Sequence, residues 1–66
     1  MELRVNGEKE IFERSYGIVD VLAARGDDIS RVVVELNGNI VSCGEFAGTS
    51  LKEGDVLEIV HLVGGG

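Results

Sequence analysis

The stretch Leu51-Lys52-Glu53-Gly54-Asp55-Val56-Leu57-Glu58-Ile59-Val60-His61-Leu62-Val63-Gly64-Gly65-Gly66 decides how this chain folds. Its first five residues read as a tight turn, with Gly54 supplying a positive φ. Val56 to Val63 is the longest apolar-rich segment of the chain. Its length, its β-branched residues and its lack of a helical period predict a strand at the centre of a sheet. Alternation then places Leu57 and Ile59 toward a helix, and Val56, Glu58, Val60 and Leu62 on the opposite face. Three glycines follow without a break. Glycine has no Cβ to restrict φ, so such a run can be thin and extended at once. It could thread a narrow channel and present a terminal carboxylate to another protein's active site. The alternative is an end with no role, since termini are commonly disordered and can be scars of expression.

Working outward, the chain supplies the partners this strand needs. Met1, Leu3 and Val5 alternate with Glu2 and Arg4, the pattern of a half-buried strand. Asn6-Gly7 is a strong hairpin signal, because both central residues of a type I′ turn need positive φ. A second strand is predicted from Glu8 to Glu13, charge-rich as an edge strand should be. From Ile18 the period becomes helical, with Ile18, Val21, Leu22 and Arg25 on one face. Gly17 or Ser15 can open this helix, and Gly26 can close it in a left-handed conformation. Asp27 to Ser30 reads as a loop and Arg31 to Leu36 as a strand. Asn37-Gly38 makes a second hairpin into Asn39-Ile40-Val41. Cys43 to Ser50 reads as a loop with a helical turn around Glu45-Phe46-Ala47, anchored by Phe46. The predicted class is α+β: a small mixed sheet of four to five strands with one short helix on one face. The last strand is expected to pair in parallel with the first.

Size and charge narrow the possible functions. At 66 residues the chain is one domain, with little room for a substrate cleft. A carrier or binding module fits more easily than an enzyme. Twelve acidic residues against six basic ones give a net charge of −6. That disfavours nucleic acid, which requires clustered Lys and Arg, and suits a partner with a basic docking surface. The single cysteine, Cys43, and single histidine, His61, cannot form a disulfide framework or a four-ligand zinc site. No run approaches a membrane span and no signal-peptide pattern opens the chain, so the cytoplasm is the expected compartment.

Taken together, Leu3-Arg4-Val5-Asn6-Gly7, Ile18-Val19-Asp20-Val21-Leu22, Val32 to Val41 and Leu51 to Gly66 resemble the ThiS-like sulfur carrier proteins of thiamine-thiazole biosynthesis. The resemblance covers essentially the whole chain and implies the ubiquitin-like β-grasp fold, with residues 1–63 as the domain and 64–66 as its tail. It also implies a chemistry. A ThiF-like enzyme would use ATP to adenylate the carboxylate of Gly66. A sulfur donor on a cysteine desulfurase route would then displace AMP and leave a thiocarboxylate. Thiazole synthase would take that sulfur. Gly64 and Gly65 would thread the partner's active site, and Val60, Leu62 and Val63 would dock it. The carrier would be a monomer when free, with no bound cofactor, no metal and no catalytic residue of its own. Ser42-Cys43-Gly44 stands where the family often has Pro and a basic residue. The helix also ends early, at Ala23-Ala24-Arg25-Gly26.

Other readings of the same residues stay open. The sulfur could go to molybdopterin, to methionine or cysteine synthesis, or to tRNA. The chain could be a ubiquitin-like modifier of lysines, or an adaptor with an inert tail. Cys43 could be a redox or persulfide site, against the plainer reading of a small apolar filler. His61 could be a general base, but no nucleophile accompanies it. Glu53 and Asp55, flanking the turn glycine, are expected to be solvated.

Overall fold

The computed structural model describes residues 1–63. The expected roles of Gly64, Gly65 and Gly66 therefore lie outside the described residues. Strands β1 (Glu2–Val5) and β2 (Glu8–Ile11) form the first hairpin, and β3 (Val32–Leu36) and β4 (Asn39–Val41) the second. Helix α1 (Ile18–Arg25) lies between them in sequence, and β5 (Val56–His61) comes last. The sheet order is β2-β1-β5-β3-β4, so β5 is the central strand. It runs parallel to β1, with Val5 opposite Leu57, and antiparallel to β3, with Val34 opposite Ile59. This is the mixed five-stranded sheet of the β-grasp arrangement.

Both Asn-Gly pairs adopt the backbone that their sequence predicts. Asn6 and Asn37 each have φ of 51°, and Gly7 and Gly38 follow at 82° and 87°. Positive φ at both central residues matches the right-handed twist of the flanking strands. The asparagines do more than turn the chain. Asn6 Oδ1 accepts from the Ile59 amide at 2.7 Å, and Asn6 Nδ2 donates to the Ile59 carbonyl at 3.2 Å. Asn37 Oδ1 accepts from the Val56 amide at 2.9 Å. Each hairpin tip therefore grips the central strand with a side chain: Asn6 copies both a strand's donor and its acceptor, and Asn37 its acceptor.

The helix packs on one face only. Ile18, Val21 and Leu22 are buried against Leu3, Val5, Val32, Val34, Leu57 and Ile59. Gly17 opens the helix, with the Asp20 carboxylate accepting from its amide at 2.8 Å. A Cβ at Gly17 would sit 3.0 Å from the Thr49 carbonyl, so the approach of these two segments depends on glycine there. The Gly26 and Asp27 amides close the helix by donating to the Ala23 and Leu22 carbonyls. A 3-10 segment, Cys43–Gly48, carries Phe46 beneath the helix, where only 2% of it is exposed.

Several boundaries differ from expectation. Strand β2 stops at Ile11 and does not reach Glu13; Phe12 still donates to the Met1 carbonyl at 2.8 Å across the hairpin, and its ring packs against the core edge beside Tyr16. Arg31 belongs to a 3-10 turn, Ile29–Arg31, started by Asp28 accepting from the Ser30 amide, so β3 begins one residue later. Strand β5 ends at His61, leaving Leu62 and Val63 beyond it. Asp55 is not solvated. It is 6% exposed, and its carboxylate accepts from the Asn37 side chain at 3.0 Å and from the Lys52 amide at 2.8 Å. Glu53 instead reaches across to the Glu2 amide at 3.0 Å.

Replacing Asn6 by glycine keeps the positive φ but removes the grip on Ile59. We expect Asn6→Gly to cost about 1–3 kcal/mol in urea denaturation, the magnitude of leaving backbone groups unpaired. A change well under about 0.5 kcal/mol, the scatter of ordinary surface substitutions, rules out a structural role for the side chain.

Candidate functional site

Alternation along β5 divides its side chains between two environments. Leu57 and Ile59 enter the core, while Val56, Glu58 and Val60 stand on the face that carries no helix. Val60 is directly opposite Val33 on β3, and Glu58 is opposite Glu35. Glu35 in turn faces Ile40 on β4. The open face thus has a pair of carboxylates at its centre with aliphatic side chains on either side. Val60 is 55% exposed and Ile40 73% exposed. Among the described residues, neither Glu35 nor Glu58 has a cationic partner within ion-pairing distance.

The candidate docking residues occupy the end of this face. Val60 is in β5 as expected. Leu62 lies just past the strand and is held by one backbone bond, its amide donating to the Arg31 carbonyl at 2.7 Å. Val63 is 96% exposed. They run from Val60, where β5 is paired with β3 alone, past His61 to Val63 in solvent.

His61 points the other way, toward the end of the helix. Its Nε2 lies 2.9 Å from Asp27 Oδ1, and Asp27 Oδ2 accepts from Arg25 Nε at 2.9 Å. Arg25 also reaches Glu10 on β2 at 3.2 Å. Only the charge of its members marks this group in the sequence, and they are scattered over β2, the end of α1 and β5. Beside it, the Ser30 hydroxyl and then the Ser30 amide, both donating to Asp28, hold that carboxyl below its usual range. Among the described residues, nothing paired with His61 is a nucleophile awaiting a base.

Cys43 is exposed at the start of the 3-10 segment, so it does not fill the core as the plainer reading supposed. A shallow hollow lined by Ile11, Phe12, Glu13, Arg14 and Tyr16 shares no residue with the docking set. Among the described residues, no group of three or more His, Cys, Asp or Glu side chains could hold a metal ion. No helix among them is long and apolar enough to cross a membrane.

Fold and surface together define a β-grasp protein whose accessible features are an open sheet face and a strand end, not a pocket. A model of the ThiS family matches residues 2–66, and the chain belongs to that family. It is 35% identical over 65 residues to the sulfur carrier protein ThiS of Bacillus subtilis, covering 97% of this chain and 98% of that one. It is 39% identical over 66 residues to a thiazole synthase of Paramagnetospirillum magneticum, but there it spans only 20% of the relative's length. The crystal structure of a thiamine biosynthesis protein, ThiS, from Geobacter metallireducens superposes with a TM-score of 0.85. The identity is 33%, and both chains are covered completely.

Like charges directly opposite each other across two strands are destabilising. Glu58→Gln should therefore raise the stability of the isolated protein, by about 0.2–0.5 kcal/mol in urea denaturation at low salt. The gain should shrink at high salt as screening takes over. A loss of stability would mean that Glu58 has a compensating contact in solution.

Proposed function

We propose that this chain is a sulfur carrier for thiamine biosynthesis and that the carboxylate of Gly66 is its working group. The observation that carries the reading is the release of the chain beyond β5. Bonding is complete through the middle of the strand, falls to one backbone bond at Leu62, and leaves Val63 almost fully exposed just before Gly64-Gly65-Gly66. Full-length similarity to a protein named as a sulfur carrier supports it.

The chemistry follows from what a carboxylate lacks. Its oxygen is a poor leaving group, so sulfur cannot displace it directly. In the proposed sequence, a carboxylate oxygen of Gly66 attacks the α-phosphorus of ATP on a ThiF-like enzyme and pyrophosphate departs. A persulfide sulfur from a cysteine desulfurase route then attacks the acyl carbon, and AMP departs. Reduction of the resulting S–S bond by a thiol leaves the thiocarboxylate. Gly64 and Gly65 would pass through the enzyme's channel, where a Cβ would hinder an extended backbone. The carrier itself binds no ATP and works in the cytoplasm, the compartment where these partners are expected.

Val60, Leu62 and Val63 would meet the partner at the mouth of that channel. The carboxylates of Glu35 and Glu58 would receive a basic side chain from it, which relieves their repulsion and helps set register. Thiazole synthase is the proposed sulfur acceptor. Support comes from the thiazole synthases of Paramagnetospirillum magneticum and Magnetococcus marinus, each of which contains a stretch similar to this whole chain.

Incubation with the adenylating enzyme, ATP and a sulfur source should make the intact chain heavier by one oxygen-to-sulfur exchange in mass spectrometry. The gain should map to the peptide ending in Gly66, and a chain lacking Gly66 should show none. A wild-type chain whose mass stays unchanged defeats the carrier reading.

A further inference from the structure

The Asp27 side chain is 7% exposed, although Asp27 is not one of the docking residues. A carboxylate this buried is costly unless it is fully paired. Here the pairing is specific. Its backbone is fixed by the helix cap, through the Asp27 amide donating to the Leu22 carbonyl at 2.9 Å. One carboxylate oxygen takes Arg25 and the other faces His61, each at 2.9 Å. Arg25 alone would neutralise Asp27 at the end of the helix. The contact to His61 is additional, and it falls on the last residue of β5.

The sheet does not need that contact to form. His61 is already in register opposite Val32, and Leu62 is bonded to Arg31. What the contact adds is direction. It ties the end of β5 to the end of α1, on the side of the strand opposite to the open face. Gly66 is the fifth residue after His61. Fully extended, five residues reach about 17 Å, so a tilt of about 10° at the base displaces the far end by about 3 Å. Misplacement of a reacting group by about 1 Å can already cost a hundredfold. A mobile chain can correct the aim, but only by giving up conformational freedom on binding.

We propose that Asp27 is a positioning residue for the proposed reaction at Gly66: through His61 it fixes the angle at which the chain leaves the sheet. The proposal rests on the carrier reading and adds a residue far from the tail in sequence. Asp27 acts through His61 and touches no reacting atom. The other charged groups around this contact are Arg25 and Glu10 on one side, and Asp28 and Arg31 on the other, the last pair 3.8 Å apart.

The test measures pyrophosphate release by the adenylating enzyme with ATP, as a function of carrier concentration. Asp27→Asn and His61→Ala should each raise the KM for the carrier about tenfold, with kcat within about twofold, the pattern of lost preorganisation. His61→Gln, which can still donate to Asp27, should restore most of the loss. Amide exchange supplies a second readout. The Leu62 amide should exchange about tenfold faster in His61→Ala, while the Ile59 amide, held by Asn6, should not change. His61 is half exposed, so His61→Ala remains informative where Asp27→Asn fails to fold. An unchanged KM in His61→Ala, or equal loosening of Leu62 and Ile59, overturns the positioning role and leaves the carrier reading standing. A wild-type chain that releases no pyrophosphate overturns both.

Discussion

The structure depends on how two asparagine side chains hold β5. Asn6 and Asn37 sit at the tips of hairpins on opposite sides of the central strand. Asn6 bonds to both backbone groups of Ile59, and Asn37 takes the amide of Val56. Asp55 completes the second grip by accepting from Asn37 and from the Lys52 amide. These contacts do what a longer β1 and a longer β3 would do in a larger sheet. In a domain this small, where little surface is available for burial, a side chain that substitutes for strand backbone saves residues. It also couples each turn to the core. The two asparagines that adopt positive φ are the same two that bond to the strand between them.

Most of the fold was legible because its signals are local and repeated. Two Asn-Gly turns, one helical period and one apolar strand leave few ways to bury the same residues. The helix bounds were readable for the same reason: Gly17 and Gly26 stand at the two ends of an uninterrupted pattern. What could not be read is the second use of the same residues. Asn-Gly announces a turn, but nothing local says that the asparagine amide will reach a strand 53 residues away. Asp55 looked solvated beside a turn glycine because its partner, Asn37, lies in another hairpin. The second strand was overestimated at Glu13 for a related reason. Pairing ends where a partner runs out, and sequence shows the strand but not its neighbour's length.

The candidate surface divides along the same line. Alternation placed Val60 on the open face, and the structure agrees. The facing of Glu35 and Glu58 is a matter of register between β3 and β5, which no single segment encodes. Neither does any segment encode the meeting of Glu10, Arg25, Asp27 and His61. Charged residues spread through an acidic chain look alike until the fold brings some of them together.

On the proposed carrier reading, a central strand is a suitable place to launch the working terminus only if it can be released gradually. Strand β5 meets that condition. Through Leu57 it is paired with β1 on one side and β3 on the other. At Ile59 the β1 side is continued by one side chain, Asn6. At Val60 and His61 only the register with β3 remains, and at Leu62 a single backbone bond to Arg31. An edge strand would offer the same exit with an anchor on one side alone. A loop would offer freedom without a fixed origin. The graded loss of partners lets the chain leave rigid structure at a defined point, while the open face beside that point stays free for a docking protein. The unequal reach of its two neighbours, with β1 pairing only as far as Leu57 and β3 as far as His61, is what produces that gradient.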